Sequence, residues 1–410
     1  MEDGLEQMAK SEQIEANIQQ IVGNKYSILL RNSFVQLAPI MTVLGIGLFI
    51  YAFLMRFIPE QMGVWTDIST QVFSLMCIGI SFLIIKMMVG EMQENNHESG
   101  LVSMLYLLLF IVRYSVQNPN VALLQVGATS ILPALFLGLS YGCIYRLLLR
   151  RTLRNPFPSS VPQAVINVVN TTWQHAVIFL STLFIVLFIP VYEWLVTLTM
   201  MCLAIFNQPL VMGIIISVIC LFWLKGIHGV TVIGLFLRPF WFQMLVLNGA
   251  AYLTQQPLPY IIHESFFQWI VWIGGSGATI GLAICLKLFS RSERFKELAK
   301  SGTVATFFNI NETVIYGMPI SNNRYLVIPF ILSPLVNGLL GYWFIAQGFL
   351  DNIILTVPWV FPAPIGLFFA TGGDIRAILV SALLIFISIV IYFPFFIQLD
   401  KQEQLKDQKE

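Results

Sequence analysis

The sequence predicts an all-α integral membrane protein with about ten transmembrane helices plus re-entrant hairpins, and with both N- and C-termini cytoplasmic. Three observations carry that prediction. Of 410 residues, 57% are hydrophobic and only 10% are charged, against about 45–50% and about 25% in soluble globular chains. The charged residues gather into short blocks, and the apolar stretches between them are long and continuous. So few charges cannot cover a globule of this size with solvated side chains, which excludes a soluble multidomain enzyme. A net charge of +1 with this apolar content also excludes a nucleic-acid binder and a disordered scaffold. A transmembrane barrel would show segments of about ten residues with alternating polarity, and the sequence has none.

The elements follow in order. Residues 1–30 form a polar cytoplasmic segment; residues 1–25 are helix-forming rather than basic and then apolar, so no cleaved leader is expected. A helix needs about 20 apolar residues to cross the hydrocarbon core. The runs 33–55, 68–89, 100–118, 121–145, 176–206, 209–225, 266–287, 325–347 and 375–397 meet that need, and 399–410 is a cytoplasmic tail. Basic blocks fix the topology, since cytoplasmic loops are rich in Lys and Arg. Arg146, Arg150, Arg151 and Arg154 mark one such loop, Lys287, Arg291, Arg294, Lys296 and Lys300 a second, and Lys401, Lys406 and Lys409 the C-terminus. Counting back four spans from Arg146 puts the N-terminus inside.

The stretches 226–260, 301–322 and 352–371 are apolar but interrupted by Gly, Pro and Asn. The chain is inside at 300 and again at 400, and two clear spans already make that round trip. The broken stretches at 301–322 and 352–371 therefore have to dip in and return on their own side. Irregular backbone at membrane depth is tolerated where it is buried or lines a cavity, and such segments build transporter sites.

Of the 43 charged residues, 30 lie in the two ends and three short blocks, and most of the other 13 mark ends of apolar runs. Glu312 fits this pattern least. It sits in Phe307–Ile320, FFNINETVIYGMPI, with Asn309 and Asn311, in an apolar run bounded by Gly317 and Pro319. An ionisable group there costs at least a few kcal/mol unless paired, so it marks a functional site by default. Carboxylates and amides also match the hydroxyls of a sugar. The alternative is a hairpin tip whose Asn residues cap helix ends while Glu312 faces cytoplasmic water.

Lys225–Gly229, KGIHG, closes another apolar run. Gly226 and Gly229 permit close backbone approach or an unwound helix, and His228 could bond a substrate hydroxyl or shuttle a proton. Equally, it could be an interfacial histidine closing a helix C-terminus. His97, His175 and His263 read as interface or loop residues. Gly274–Gly281, GGSGATIG, lacks the phosphate-loop pattern and reads as close helix packing inside a span, as do Gly138 and Gly142. Trp359, beside Pro358, could stack on a sugar ring or belong to an interfacial aromatic belt. Cys77, Cys143, Cys202, Cys220 and Cys285 lie in apolar runs without paired spacing and read as buried small hydrophobes. No metal site, cofactor or covalent catalytic group is expected.

The stretch FFNINETVIYGMPI resembles the signature of the sugar-transporting membrane subunit, enzyme IIC, of the bacterial phosphoenolpyruvate-dependent phosphotransferase system (PTS), lactose/cellobiose branch. WLKGIHG at 223–229, IGGSGAT at 273–279, SVP at 160–162, PW at 358–359 and YFPFF at 392–396 follow in the family's order. The resemblance implies a homodimer in the bacterial cytoplasmic membrane, with a scaffold and dimerisation half at 31–206 and a sugar-transport half with re-entrant hairpins at 207–398. It implies that Glu312 and His228 hydrogen-bond the sugar and that Glu312 orients, or takes a proton from, the hydroxyl that is phosphorylated. The donor would be a phosphocysteine on a separate soluble IIB subunit, charged by IIA upstream. Two positions depart from the pattern: Thr313 stands where the family has a proline, and Asn323-Arg324 where it usually has Asn-Pro. The expected substrate is a β-linked disaccharide such as cellobiose or chitobiose. A diverged sugar-binding or sensing membrane protein, or a non-phosphorylating sugar carrier, is the competing reading.

Overall fold

The computed structural model describes residue 20 and residues 23–57, 63–92, 97–119, 121–149, 161–318, 320 and 323–407. The N-terminal segment up to residue 19, the basic loop residues Arg150, Arg151 and Arg154, and Lys409 lie outside them. Among the described residues all regular structure is helical and no strand occurs. Two compact bodies are formed. One holds residues 23–38 and 65–202; the other holds 39–64 and everything from 203 onward.

Seven helices start the chain: α1 (Lys25–Phe57), α2 (Gly63–Met92), α3 (His97–Gln117), α4 (Leu123–Thr129), α5 (Ile131–Leu149), α6 (Gln163–Phe188) and α7 (Val191–Phe206). The core of the body at 65–202 joins Ile85, Leu107, Phe110, Val126, Tyr141, Ile178 and Tyr192. Two expected spans are broken here. The run 121–145 divides at Ser130, whose hydroxyl donates to Gly127 O and meets Ser81 Oγ at 2.6 Å. The run 176–206 divides at Ile189, which is extended because Pro190 follows. The Arg113 guanidinium donates to the carbonyl of Val186, which Pro190 leaves without a helical N–H, and to that of Ile189.

The second body adds α8 (Pro209–Leu224), α9 (Gly229–Leu253), and α10 (Glu264–Phe266), which runs into a π turn at Phe267–Val271. It continues with α11 (Ile280–Phe289), α12 (Glu293–Phe307), α13 (Glu312–Gly317), α14 (Arg324–Ala346), α15 (Ala363–Ala370) and α16 (Arg376–Asp407). Here the expectations for 226–260 and 266–287 change places. The first is continuous through most of its length, as the 25-residue α9, despite Pro239. In an apolar setting the backbone has no better partner than its own helix, so one proline does not end it. The second is not one continuous helix. Gly274, Gly275, Gly277 and Ala278 have φ of +75°, +98°, +84° and +51°, a left-handed series that no right-handed helix contains. A Cβ on Gly277 would lie 2.2 Å from the Phe330 ring. These glycines form a buried turn, and only Gly281 fits the packing role, its missing Cβ leaving room for the α16 backbone at Ser388.

Of the stretch 301–322, the described residues up to 318 form a hairpin, α12 and α13 joined by a turn at 308–311. Residues 351–362 have no regular structure and lead into the eight-residue α15. α11, α14 and α16 pack together through small and polar side chains: Ser388 Oγ receives Ser333 Oγ and Asn337 Nδ2 at 3.0 and 3.1 Å, and Tyr392 donates to Gly277 O at 2.7 Å. Without a hydrophobic drive between helices in lipid, such bonds and close packing hold the bundle.

Among the described residues five helices are long and apolar enough to cross a membrane: Asp67–Met87 within α2, α6, α9, α14 and most of α16. α7 and α8 count as a sixth if that bent pair is read as one span. The expected runs 33–55 and 100–118 lie in α1 and, as far as Gln117, α3, while other apolar sequence lies in shorter pieces such as Ile131–Tyr145 and Ile280–Phe289. Of the cysteines, Cys77, Cys220 and Cys285 are buried, but Cys202 is half-buried and Cys143 exposed, because it faces outward from α5.

Candidate functional site

Three of the chain segments that form the site meet at their tips in the second body. Asn309 ties them together. It is 8% exposed and has a left-handed backbone, φ +62°, a conformation asparagine tolerates better than most residues. Its Oδ1 accepts from Gly274 N at 2.9 Å, and its Nδ2 donates to the carbonyls of Trp359 and Phe361, both at 2.8 Å. Asn311, 3% exposed, donates from Nδ2 to Ser276 O at 2.8 Å and Thr279 Oγ1 at 2.9 Å. Gly275 has to be glycine beneath it, since a Cβ there would lie 2.4 Å from Asn311 Cγ. Both amides are thus occupied by the protein itself.

Glu312 is the first residue of α13, where the helix dipole favours a carboxylate. His228 caps the N-terminus of α9 after an unwound turn in which Gly226 has φ +77°. At Gly229 the turn passes so close to α8 that a Cβ would lie 2.2 Å from Ile219 O. The structure brings these two side chains together from 84 residues apart: His228 Nε2 lies 3.9 Å from Glu312 Oε1, and each side chain is 46% exposed. The Trp223 ring supports the imidazole at 4.4 Å between centroids.

The imidazole tautomer follows from its partners. Nδ1 accepts from the backbone N–H of Thr231 at 3.2 Å and lies 2.9 Å from Thr231 Oγ1. A backbone N–H can only donate, so the proton of the neutral ring sits on Nε2, facing Glu312. At 3.9 Å the two groups do not hydrogen-bond directly. A hydroxyl accepting from Nε2–H and donating to the carboxylate would complete the pair.

Trp359 is exposed, with its carbonyl held by Asn309 and its ring outward. Beside it, Val304, Phe308, Ile310, Val360 and Pro362 line an open groove of about 440 Å³ that presents almost no polar surface. Among the described residues no group of three or more His, Cys, Asp or Glu side chains is arranged to hold a metal.

Sequence reasoning passed over one charged pair. Arg238 lies in the interior of α9 rather than at the end of a run; its side chain folds back over Gly234, and Nε donates to Glu264 Oε1 at 2.9 Å. A lone cation in an apolar run was the available signal. His263 and His175 also differ from expectation: both are buried, His175 stacked 4.8 Å from the Tyr145 ring.

Long apolar helices, broken segments meeting at a buried polar knot, and a half-exposed histidine–carboxylate pair are the features of an integral membrane protein with a polar site among its helices. The family model "Phosphotransferase system, EIIC" matches residues 27–334, and the chain belongs to that family. It is 34% identical to the lichenan permease IIC component of Bacillus subtilis (strain 168), over 71% of this chain and 66% of that protein. With the PTS system oligo-beta-mannoside-specific EIIC component of the same organism it shares 27% identity, over 94% of this chain and 92% of the relative. The fold matches the crystal structure of the transporter ChbC, the IIC component from an N,N'-diacetylchitobiose-specific phosphotransferase system. The TM-score is 0.81, with 22% identity over 98% of this chain and 99% of that one.

Proposed function

We propose that the chain is the sugar permease of a bacterial phosphotransferase system. It binds a β-linked disaccharide such as cellobiose or chitobiose and moves it inward, coupled to phosphorylation by a separate phosphocysteine IIB subunit that IIA recharges. It works as a homodimer in the cytoplasmic membrane, both termini inside, with 31–206 as scaffold and 207–398 as the transport half. The sugar class is supported by the names of the relatives, which include lichenan, oligo-beta-mannoside and cellobiose components.

The observation that carries the reading is the half-exposed His228–Glu312 pair. One sugar hydroxyl accepts from His228 Nε2–H and donates to the Glu312 carboxylate. As its oxygen bonds to phosphorus, the proton passes to Glu312 and the sulfur–phosphorus bond breaks, leaving a thiolate on the partner. Phosphoryl transfer needs mainly positioning and charge stabilisation, so one placed carboxylate suffices. Trp359 offers its exposed ring to the C–H face of the sugar, while Asn309 and Asn311 position the tips that carry Glu312.

Membrane vesicles containing the protein, given phosphorylated soluble subunit and labelled cellobiose, test this. Glu312→Gln should abolish phosphorylation-coupled uptake. Wild-type uptake by that variant would refute the assignment, and uptake of unmodified sugar by the native protein would favour the non-phosphorylating carrier.

A further inference from the structure

At the far end of α13 from Glu312, residues of α12, α14 and the end of α16 enclose a cleft of about 410 Å³. Its charges are arranged by one buried carboxylate. Glu403, 5% exposed, accepts from the Arg294 guanidinium on Oε1 and from Lys406 Nζ on Oε2 at 3.0 Å. Arg294 also donates from Nη2 to Gly317 O, the last residue of α13, at 3.1 Å. A third cation, Arg324, lies 5.0 Å from the Tyr325 ring centroid and donates from Nη2 to Tyr325 Oη at 3.0 Å; among the described residues no carboxylate pairs with it. Tyr325 Oη also accepts Gln402 Nε2 at 2.7 Å. A phenol oxygen that receives two donors keeps its own proton for another acceptor.

Three cations thus face one carboxylate whose oxygens are both engaged. What the cleft offers is donors: the Arg324 fork, the tyrosine O–H, and the outer N–H groups of Arg294 and Lys406. That set suits the oxygens of a phosphate. The apolar members of the wall, Phe295, Met318 and Leu399, are 2%, 1% and 6% exposed. The lining of the cleft is therefore mostly polar, which suits a phosphate better than the acyl chains that accompany a lipid headgroup.

We propose that this cleft is the landing site for a phosphoryl group borne by a soluble phosphoprotein. It rests on the permease reading for the identity of that partner. α13 has six residues, about 9 Å of helix, so a phosphoryl group seated here lies one short helix from Glu312, on the carbonyl end that Arg294 already holds. Arg324 makes the cleft selective, as the one cation there without a carboxylate.

The test uses the full-length protein in phosphatidylcholine nanodiscs with inorganic phosphate as probe. Wild-type protein should bind phosphate, and Arg324→Gln should bind about tenfold more weakly, as expected for loss of a charge-assisted pair. Lys300→Gln, exposed and outside the cleft, should match the wild type. In vesicles, Arg324→Gln should raise the KM for the phosphorylated soluble subunit. Equal phosphate binding by wild type and Arg324→Gln would overturn the proposal. So would displacement of phosphate by added phosphatidylglycerol together with an unchanged KM, which would make the cleft a headgroup site. Failure of the permease reading shows separately, as coupled uptake that survives Glu312→Gln while phosphate binding still depends on Arg324.

Discussion

At the residue scale, two side chains of opposite acid–base character half-face open space, and the protein supplies each with an orientation. Glu312→Gln preserves shape but removes the proposed proton acceptor, so turnover should fall by about 10²–10⁴-fold with sugar binding less affected; single-turnover phosphorylation separates the two. His228→Gln keeps a donor but loses the fixed tautomer, and should raise KM for sugar more than it lowers kcat. Asn309→Ala leaves the Gly274 N–H and the Trp359 and Phe361 carbonyls without their partner. At roughly 1–3 kcal/mol for each buried orphan, the variant should lower Tm and sugar affinity together. A Tm unchanged within a degree would show that water replaces the amide. Glu312 and His228 stand out as candidates in the sequence because each is a polar residue in an apolar run, with flanking glycine or proline, and the structure brings the two within 3.9 Å. That Asn309 and Asn311 serve the backbone was not legible, since an amide that binds hydroxyls and one that binds carbonyls look the same in one dimension.

At the element scale, the same glycine-rich run admits two readings that only φ separates. Gly274–Gly281 has the small-residue density of a packed transmembrane helix, yet three of its glycines are left-handed and form a turn. Gly277→Ala meets both a strained backbone and the Phe330 ring; it should reduce folded protein severely, measured as the monodisperse fraction after detergent extraction, whereas Gly226→Ala, with open space around its Cβ, should be milder. Hydropathy found the apolar runs but not where they bend. Pro190 ends α6, while Pro239 sits inside an intact α9. A proline's effect depends on whether neighbouring segments satisfy the freed backbone, which is tertiary information.

At the scale of the whole molecule, a low charge content announced the class, and the placement of charge distinguishes support from function. Asp374 belongs to the support. Burial alone would raise its pKa, but the Arg376 guanidinium and the backbone N–H groups of Asp351 and Arg376 outweigh that and hold the carboxyl below its usual range. A depressed folded pKa contributes stability that is full above the unfolded value near 4 and is lost as pH falls through the folded value. Wild-type Tm should therefore drop between about pH 4 and lower pH more steeply than that of Asp374→Asn; parallel curves would exclude the group as a source of acid sensitivity.

Asn309 has a mechanical consequence for a carrier. Prising any two of the segments it joins apart would bare an amide or a carbonyl where little water is at hand to replace the lost partner. The joined tips are therefore stiff, and on the proposed carrier reading the compliance that translocation requires has to reside in their stems. The left-handed Gly348, with open space around its Cβ position, is one place where such bending costs little.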